Sequence, residues 1–568
     1  MNQLLPWMFL ATLPGCLLTG LVRGLRPGVL SLPGPLLLLG SMLWFLLGDA
    51  TPLVVRIDGW LPMLPDGAFA LRLDALAATL LAVVGFVSTC VYVYSLSYLH
   101  DDPSQRRFFC LLDLFLAAMS LLVLAGNLVV LVAGWAGVGL VSFLLISFWR
   151  DREHTLGAGL QALTANAIGD GALLLACVLV PAGAGDLTTL AAQNGSAMLG
   201  GHTLLAALLV TAAAAKSAQG LFYFWLPSAM AGPTPVSALI HAATMVAAGV
   251  YLLVRTSPLL ALAPAVMHGI AWLGVVTAIC SGVASLWQTN YKRGLAYSTC
   301  SQLGYMFAAV GFGAPFAAFF HLVTHAAFKA LLFLCAGAVI HAAHGEERLA
   351  HLTGMKKHLP RVALLNLIGS LALCGLPLVT AGAFSKDLIL EAGLEHAPAL
   401  GYALLFGTLL TGLYTGRLHF GVFGAAAHGG GQHDGHGDGE HMIHAPDALL
   451  QLPLVPLALA AIGAGWLGAP LAHLLGVEVT IHAISPLGLV AGALGLGGFL
   501  LAGLWQRRAH GTARLPDLGL DWVPTAANLS AIGTGQIARL HDGRLFAYLF
   551  TAVVGIAALI VIGIANAP

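Results

Sequence analysis

Long apolar runs alternate with short polar connectors along the whole chain, and the length of those runs decides its class. A helix rises about 1.5 Å per residue, so about 20 apolar residues cross a hydrocarbon layer of about 30 Å. Runs of that kind fall near residues 4–22, 28–48, 70–98, 108–126, 128–149, 160–182, 203–223, 235–255, 262–288, 295–312, 315–343, 362–390, 400–424, 451–475, 486–506 and 545–565. The pattern predicts an all-α polytopic membrane protein of about sixteen transmembrane helices.

Two of the runs are interrupted. In the seventh, Lys216 sits in apolar sequence with no acid within a helical turn, and Gly220, Pro227, Gly232, Pro233 and Pro235 stop that helix before the one carrying His241. In the twelfth, Gly375, Pro377 and Gly382 interrupt an apolar helix just ahead of Lys386 and Asp387. Broken helices are tolerated in a bilayer where protein or water satisfies the freed backbone, as along an ion path. The two breaks lie five spans apart and therefore run in opposite directions, as in two five-helix units related by inverted topology. The expected divisions are N-terminal helices at 1–107, a first unit at 108–255, a second at 262–424, a connecting loop at 425–450 and C-terminal helices at 451–568. Between the breaks, His321, His325 and Lys329 recur every four residues and share one helix face.

Composition agrees with a membrane protein, at 59% hydrophobic and 8% charged residues. Lys plus Arg and Asp plus Glu number 24 each, so no basic excess points to nucleic acid. The eight cysteines stand singly in apolar segments without metal-binding spacing and read as small buried side chains. The 425–450 stretch is rich in glycine and in histidines (His428, His433, His436, His441 and His444), which predicts a flexible loop with adventitious metal affinity. Residues 520–541 are too polar to cross and read as a surface segment.

Four strings carry a resemblance: GWAGVGLVSFLLISFW (134–149), WLPSAMAGPTPVSALIHAATMVAAGVYLL (225–253), YKRGLAYSTCSQLGYM (291–306) and HLVTHAAFKALLFLCAGAVIH (321–341). With GAFSKDLIL (382–390), they resemble the antiporter-like subunit L of bacterial NADH:quinone oxidoreductase, respiratory complex I, over about residues 60–475. The same strings are similar to large subunits of multisubunit cation/proton antiporters and to the membrane subunit of an inorganic-carbon uptake system. The resemblance implies a proton-translocating subunit with no cofactor of its own and no metal, in the bacterial inner membrane. NADH, flavin, iron–sulfur clusters and quinone would belong to partner subunits. It implies that Lys216, His241, His321, His325, Lys329, Lys386, Asp387 and Asp170 form the proton path.

The departures fall mostly in the first unit. Ala136 replaces the glutamate expected after the tryptophan of GWAGVGL, Ala167 an arginine, Gly126 an aspartate, and Ser228 the aspartate of the WLPDAM pattern. Asp113 is an added acid, but antiparallel pairing places it about 9 Å along the axis from Ala136. The first unit is therefore expected to be silent or regulatory unless Asp170 or water compensates, with the second unit carrying the transmembrane step. The alternatives are a transporter subunit or a paralogue with an inactive first channel.

Basic residues set the orientation. Arg23, Arg26, Arg106, Arg107, Arg150, Arg152, Lys292, Arg293, Arg348, Lys356, Lys357, Arg507 and Arg508 follow odd-numbered runs, so those loops and the histidine-rich loop should be cytoplasmic and both termini outside. A cysteine placed at Gly431 should resist an impermeant thiol reagent in intact cells and react after permeabilisation; labelling from outside would reverse the orientation.

Overall fold

The computed structural model describes residues 2–21, 25–58, 60, 67–152, 154–180, 186–187, 190, 201–424, 447–482 and 485–508. The five loop histidines, the 520–541 segment and the run near 545–565 lie outside the described residues. The chain starts with a 3-10 helix, Asn2–Thr12, followed by α1 (Leu13–Leu21), α2 (Pro27–Ser31) and α3 (Pro33–Leu47). Proline opens both α2 and α3, where its missing N–H has no intrahelical acceptor to lose.

Strands β1 (Leu53–Ile57) and β2 (Phe69–Leu73) then pair antiparallel, with Leu53 opposite Leu73 and Ile57 opposite Phe69. This ribbon corrects the all-α expectation and shortens the run near 70–98 to α4 (Ala75–Tyr98). Phe69, Leu71 and Leu73 share one face of a period-two pattern, which a window average absorbs into the adjoining helix. Asp74 ends the strand and caps α4, accepting from the Ala77 amide at 3.0 Å.

The next helices are α5 (Gln105–Val123), α6 (Leu128–Ile146), α7 (Thr155–Leu179), α8 (Gly201–Lys216) and the one-turn α9 (Trp225–Ser228). After them come α10 (Thr234–Ala242), α11 (Met245–Arg255), α12 (Ser257–Ala261), α13 (Pro264–Trp287), α14 (Tyr291–Gly311) and α15 (Pro315–Ala342). The last are α16 (Pro360–Cys374), α17 (Ala381–His396), α18 (Pro398–Phe423), α19 (Ala448–Gln451), α20 (Leu454–Gly463), α21 (Gly468–Leu474) and α22 (Pro486–Arg508). Among the described residues, 11 helical segments are long and apolar enough to cross a membrane. The runs near 108–126 and 295–312 are helices too, α5 and α14, but arginines and Asp113 in one and a polar stretch in the other keep them outside that group.

The centre of the bundle is α15 with the α10–α11 segment, whose apolar windows are 100% buried. A helix buried on every side needs no polar face, so each polar residue it does carry has a reason other than solvation. Around α15 pack α4, α10, α11, α14, α16, α17 and α20. Close approach is served by small residues: a Cβ on Gly274 of α13 would lie 2.5 Å from the Gly304 carbonyl of α14.

Downstream of Lys216 the backbone turns left-handed at Ala218 (φ 54°) and Gly220 (φ 57°). Between α10 and α11, Thr244 Oγ1 donates to the Leu239 carbonyl at 2.7 Å, and at the end of α16 Gly375 takes φ 82°. The cysteine reading needs a correction: Cys16 of α1 and Cys110 of α5 form a disulfide across 94 residues. Such a pair arises from helix packing, which spacing does not reveal; Cys90, Cys177, Cys300, Cys335 and Cys374 are buried, and Cys280 is exposed.

One ion cluster clamps the ribbon to the bundle. Arg255 Nη2 donates to Asp74 Oδ1 at 2.9 Å and to the Tyr251 hydroxyl at 2.7 Å, and Arg72 Nε donates to Asp74 Oδ2 at 3.0 Å. Burial pushes the Asp74 carboxyl up, but the Arg255 and Arg72 guanidiniums and the Ala77 amide outweigh it and hold the group down at about 2. The folded value lies below the unfolded one, so the clamp contributes fully above about pH 4 and fades as pH falls toward 2. Asp74→Asn should therefore lower the thermal midpoint of the solubilised protein at pH 7, costing roughly 3–5 kcal/mol, with the gap to wild type closing on acidification. An unchanged midpoint at pH 7 would show the cluster to be ornamental.

Candidate functional site

Lys216 is the last residue of α8 and is fully buried. A cation there meets the negative end of the helix dipole, which offsets part of the cost of leaving water. Its Nζ lies 3.5 Å from Asp170 Oδ1 on α7, donates to the Trp135 carbonyl on α6 at 3.1 Å and stands 5.1 Å from the Trp135 ring. The Asp170 side chain is 23% exposed, so the pair sits one residue deep from the bundle surface.

Of the two compensations left open for the missing acid at position 136, Asp170 is the one that faces Lys216. Helix α6 turns Trp135 and Gly139 toward the lysine, and a Cβ on Gly139 would come within 3.2 Å of Nζ. Ala136 lies on the exposed side of α6, about 100° further round the helix. Asp113 is also elsewhere: its carboxylate accepts from Ser31 at 2.6 Å and Tyr92 at 3.0 Å, among the N-terminal helices.

His241 lies in the last turn of α10, ahead of α11, and its ring packs 4.7 Å from Phe333 of α15. Among the described residues, neither nitrogen of His241 or of His325 has a hydrogen-bond partner. An imidazole so placed is free to take a proton on one nitrogen and release one from the other. Lys329, one turn beyond His325 on α15, donates to Ser298 Oγ of α14 at 2.5 Å and to the Leu295 carbonyl at 3.4 Å.

His321 is the fixed member of the row. Its Nδ1 pairs with Ser385 Oγ at 2.8 Å and its Nε2 with Gln302 Oε1 at 3.2 Å. An amide oxygen only accepts, so Nε2 carries the proton and Nδ1 faces the serine hydroxyl. Ser385 also bonds Thr324 at 2.8 Å, and Gln302 Nε2 donates to Tyr414 at 3.1 Å. Its ring lies 6.2 Å from that of His325, further than a direct hydrogen bond reaches.

Lys386, next to Ser385 on α17, is buried and donates to the Leu373 carbonyl in the last turn of α16, with the Tyr305 ring 5.7 Å away. Both lysines of the two interrupted helices thus lie beside a helix C-terminus. Asp387 is adjacent in sequence and yet points apart: Oδ2 accepts from Ser485 beside α22, and Oδ1 is unpaired. Among the described residues no ion pair joins it to Lys386.

The hydroxyl and amide residues Ser298, Gln302, Thr324, Ser385 and Tyr414 escaped the sequence reading. Ser298 and Gln302 stand four residues apart inside YKRGLAYSTCSQLGYM, on one face of α14, a signal that was available but uncharged.

Residues 125–411 match the family described as NADH:quinone oxidoreductase/Mrp antiporter, transmembrane, and residues 60–109 match the complex I chain 5 N-terminus. NADH-quinone oxidoreductase subunit L of Escherichia coli is 42% identical over 483 residues, covering 80% of this chain and 76% of its own length. NADH-ubiquinone oxidoreductase chain 5 of Allomyces macrogynus is 37% identical over 458 residues, covering 79% and 69%. Among solved structures, the Mrp complex of a Dietzia species superposes with a TM-score of 0.78 at 25% identity, over 99% of this chain and 63% of that one. The chain belongs to the antiporter-like membrane subunit family that includes NADH-quinone oxidoreductase subunit L and NADH-ubiquinone oxidoreductase chain 5.

Proposed function

We propose that the protein is a proton-translocating subunit of a complex I type NADH:quinone oxidoreductase, driven by redox chemistry in its partners. The observation that carries this reading is the row of ionisable side chains from Asp170 and Lys216, past His241, along Lys329, His325 and His321 of α15, to Lys386 and Asp387, all of them buried except the half-buried Asp170 and Asp387. Intramembrane charges of this kind are costly and mark ion paths. The chain's own groups bind and hand on protons; NADH, flavin, iron–sulfur clusters and quinone belong to the partner subunits. The setting is a bacterial inner membrane, with both termini extracytoplasmic.

In this reading residues 108–255 and 262–424 are two five-helix units of inverted topology, interrupted at their seventh and twelfth spans. Each has a lysine against a helix C-terminus. At 3.5 Å the charge on Asp170 and that on Lys216 act directly on one another, so movement of one proton at either changes the setting of its partner. His241 and His325 relay because both ring nitrogens are free, whereas His321 orients Ser385 beside Lys386. The first unit is proposed to be competent, since Asp170 supplies the acid that position 136 does not.

A second reading, a subunit of a cation/proton antiporter complex, is supported by the superposition on the Mrp complex over nearly the whole chain. Co-purifying subunits that carry flavin and iron–sulfur absorbance would decide for the first. In sealed vesicles holding the complete complex, Lys386→Ala, Lys216→Ala and Asp170→Asn should each cut proton translocation roughly tenfold or more, as a positioned proton carrier contributes on the order of 10²–10⁴. Normal pumping by Lys386→Ala, or by both first-unit variants, in an assembled complex sinks the assignment of those residues.

A further inference from the structure

On the side of the membrane where the basic loops gather, a cavity of about 520 Å³ opens. The start of α7, the segment between α8 and α10, the start of α14 and the turn after α15 enclose it. Its volume is in the range of small-ligand sites. Two guanidiniums line it, those of Arg152 and Arg293, both exposed. Arg152 stacks over the Trp149 ring at 3.8 Å, which fixes its plane, and among the described residues its guanidinium has no ion pair. Arg293 has no ion pair among the described residues.

The acid in the described wall is already taken. Glu347 Oε1 lies 2.6 Å from Lys292 Nζ, and its Oε2 accepts from Asn290 Nδ2 at 2.8 Å. Lys292 is itself buried and donates to the Met230 carbonyl at 2.8 Å, so this pair is anchored behind the wall. Two positive groups therefore share a cavity in which no described acid is left to face them.

Ser228 is why. It lines the cavity where the resemblance expects an aspartate, and its hydroxyl is engaged with the Phe224 carbonyl at 3.1 Å. An acid there would neutralise the arginines internally; the serine leaves that charge for a ligand. We propose that this cavity binds a phosphate-bearing anion, the headgroup of an anionic phospholipid, between Arg152 and Arg293. The planar guanidinium fork suits phosphate oxygens, and the walls are ends of membrane-crossing helices, level with lipid headgroups. Bound there, the phosphate would tie the start of α7 to the start of α14, one from each proposed five-helix unit.

The test uses the purified complete complex in neutral detergent, titrated with phosphatidylglycerol or with inorganic phosphate and read by native mass spectrometry. One phosphatidylglycerol per complex should be retained. It should be weakened about tenfold or more in the joint Arg152→Gln, Arg293→Gln variant, as expected for losing charge-assisted hydrogen bonds. Ser228→Asp should have the same effect and Ser228→Asn should not, which separates charge from folding. Displacement of the lipid by equimolar inorganic phosphate would keep the site and assign it to a soluble phosphate. Binding of neither, or lipid retention unchanged by Ser228→Asp and by the double arginine variant, would overturn the proposal.

Discussion

Holding an ammonium group inside a membrane protein is the constraint on which this structure turns. Lys216 and Lys386 are buried, and each stands at a helix end: Lys216 is the last residue of α8, and Lys386 donates to the Leu373 carbonyl in the last turn of α16. At Lys386 the interruption and the lysine solve one another's problem, the end of α16 supplying an acceptor and the cation a donor; at Lys216 the ammonium turns instead to the Trp135 carbonyl within α6 and to Asp170. Neither a break nor a lysine would be tolerated alone at that depth. Conformational change at such a break would alter the charge environment of the lysine, which is the coupling that a proton-moving subunit needs.

Between these two points α15 acts as a spacer of fixed pitch. His321, His325 and Lys329 rise in steps of one turn, about 6 Å, so neighbouring members are near enough to sense charge and too far apart for direct proton exchange. The polar groups that fill in come from other helices: Ser298 and Gln302 from α14, Ser385 from α17 and Tyr414 from α18. Their role is geometric, setting which ring nitrogen of His321 carries the proton and where Lys329 rests. The rings of His241 and His325 have no hydrogen-bond partner among the described residues, whereas that of His321 is held on both nitrogens.

Much of this was legible because charge in an apolar run is conspicuous. Lys216, Lys329 and Lys386 stand out in sequence, and proline and glycine announce the breaks beside two of them. What was not legible depends on how helices face one another. Lys216 and Asp170 lie far apart in the chain and meet because α7 and α8 pack side by side. Lys386 and Asp387 are neighbours in the chain and part because consecutive helical residues diverge by about 100°. Ser298 and Gln302 carried no hydropathy signal, and the β1–β2 ribbon was hidden by its own alternating residues being averaged with α4.

The positions where this chain departs from its relatives' pattern become coherent once they are placed in space. Ala136 and Ala167 lie on exposed faces of α6 and α7, where a charge would look outward to lipid or to a neighbouring subunit. Gly126 donates its amide to the Ala70 carbonyl, and a Cβ there would meet that residue's backbone at 3.2 Å, so a bulkier group would press on the ribbon. Ser228 opens onto a cavity at the helix ends. The charges absent at positions 136 and 167 are thus peripheral and that at 228 borders a cavity, whereas position 126 is buried against the ribbon. Asp170 has no such substitute: without it Lys216 would face only the Trp135 carbonyl and ring, and a buried cation stripped of its counter-charge is among the most destabilising changes a membrane interior can suffer. The departures at positions 136 and 167 therefore fall on outward faces, whereas the inner Lys216–Asp170 pair is present.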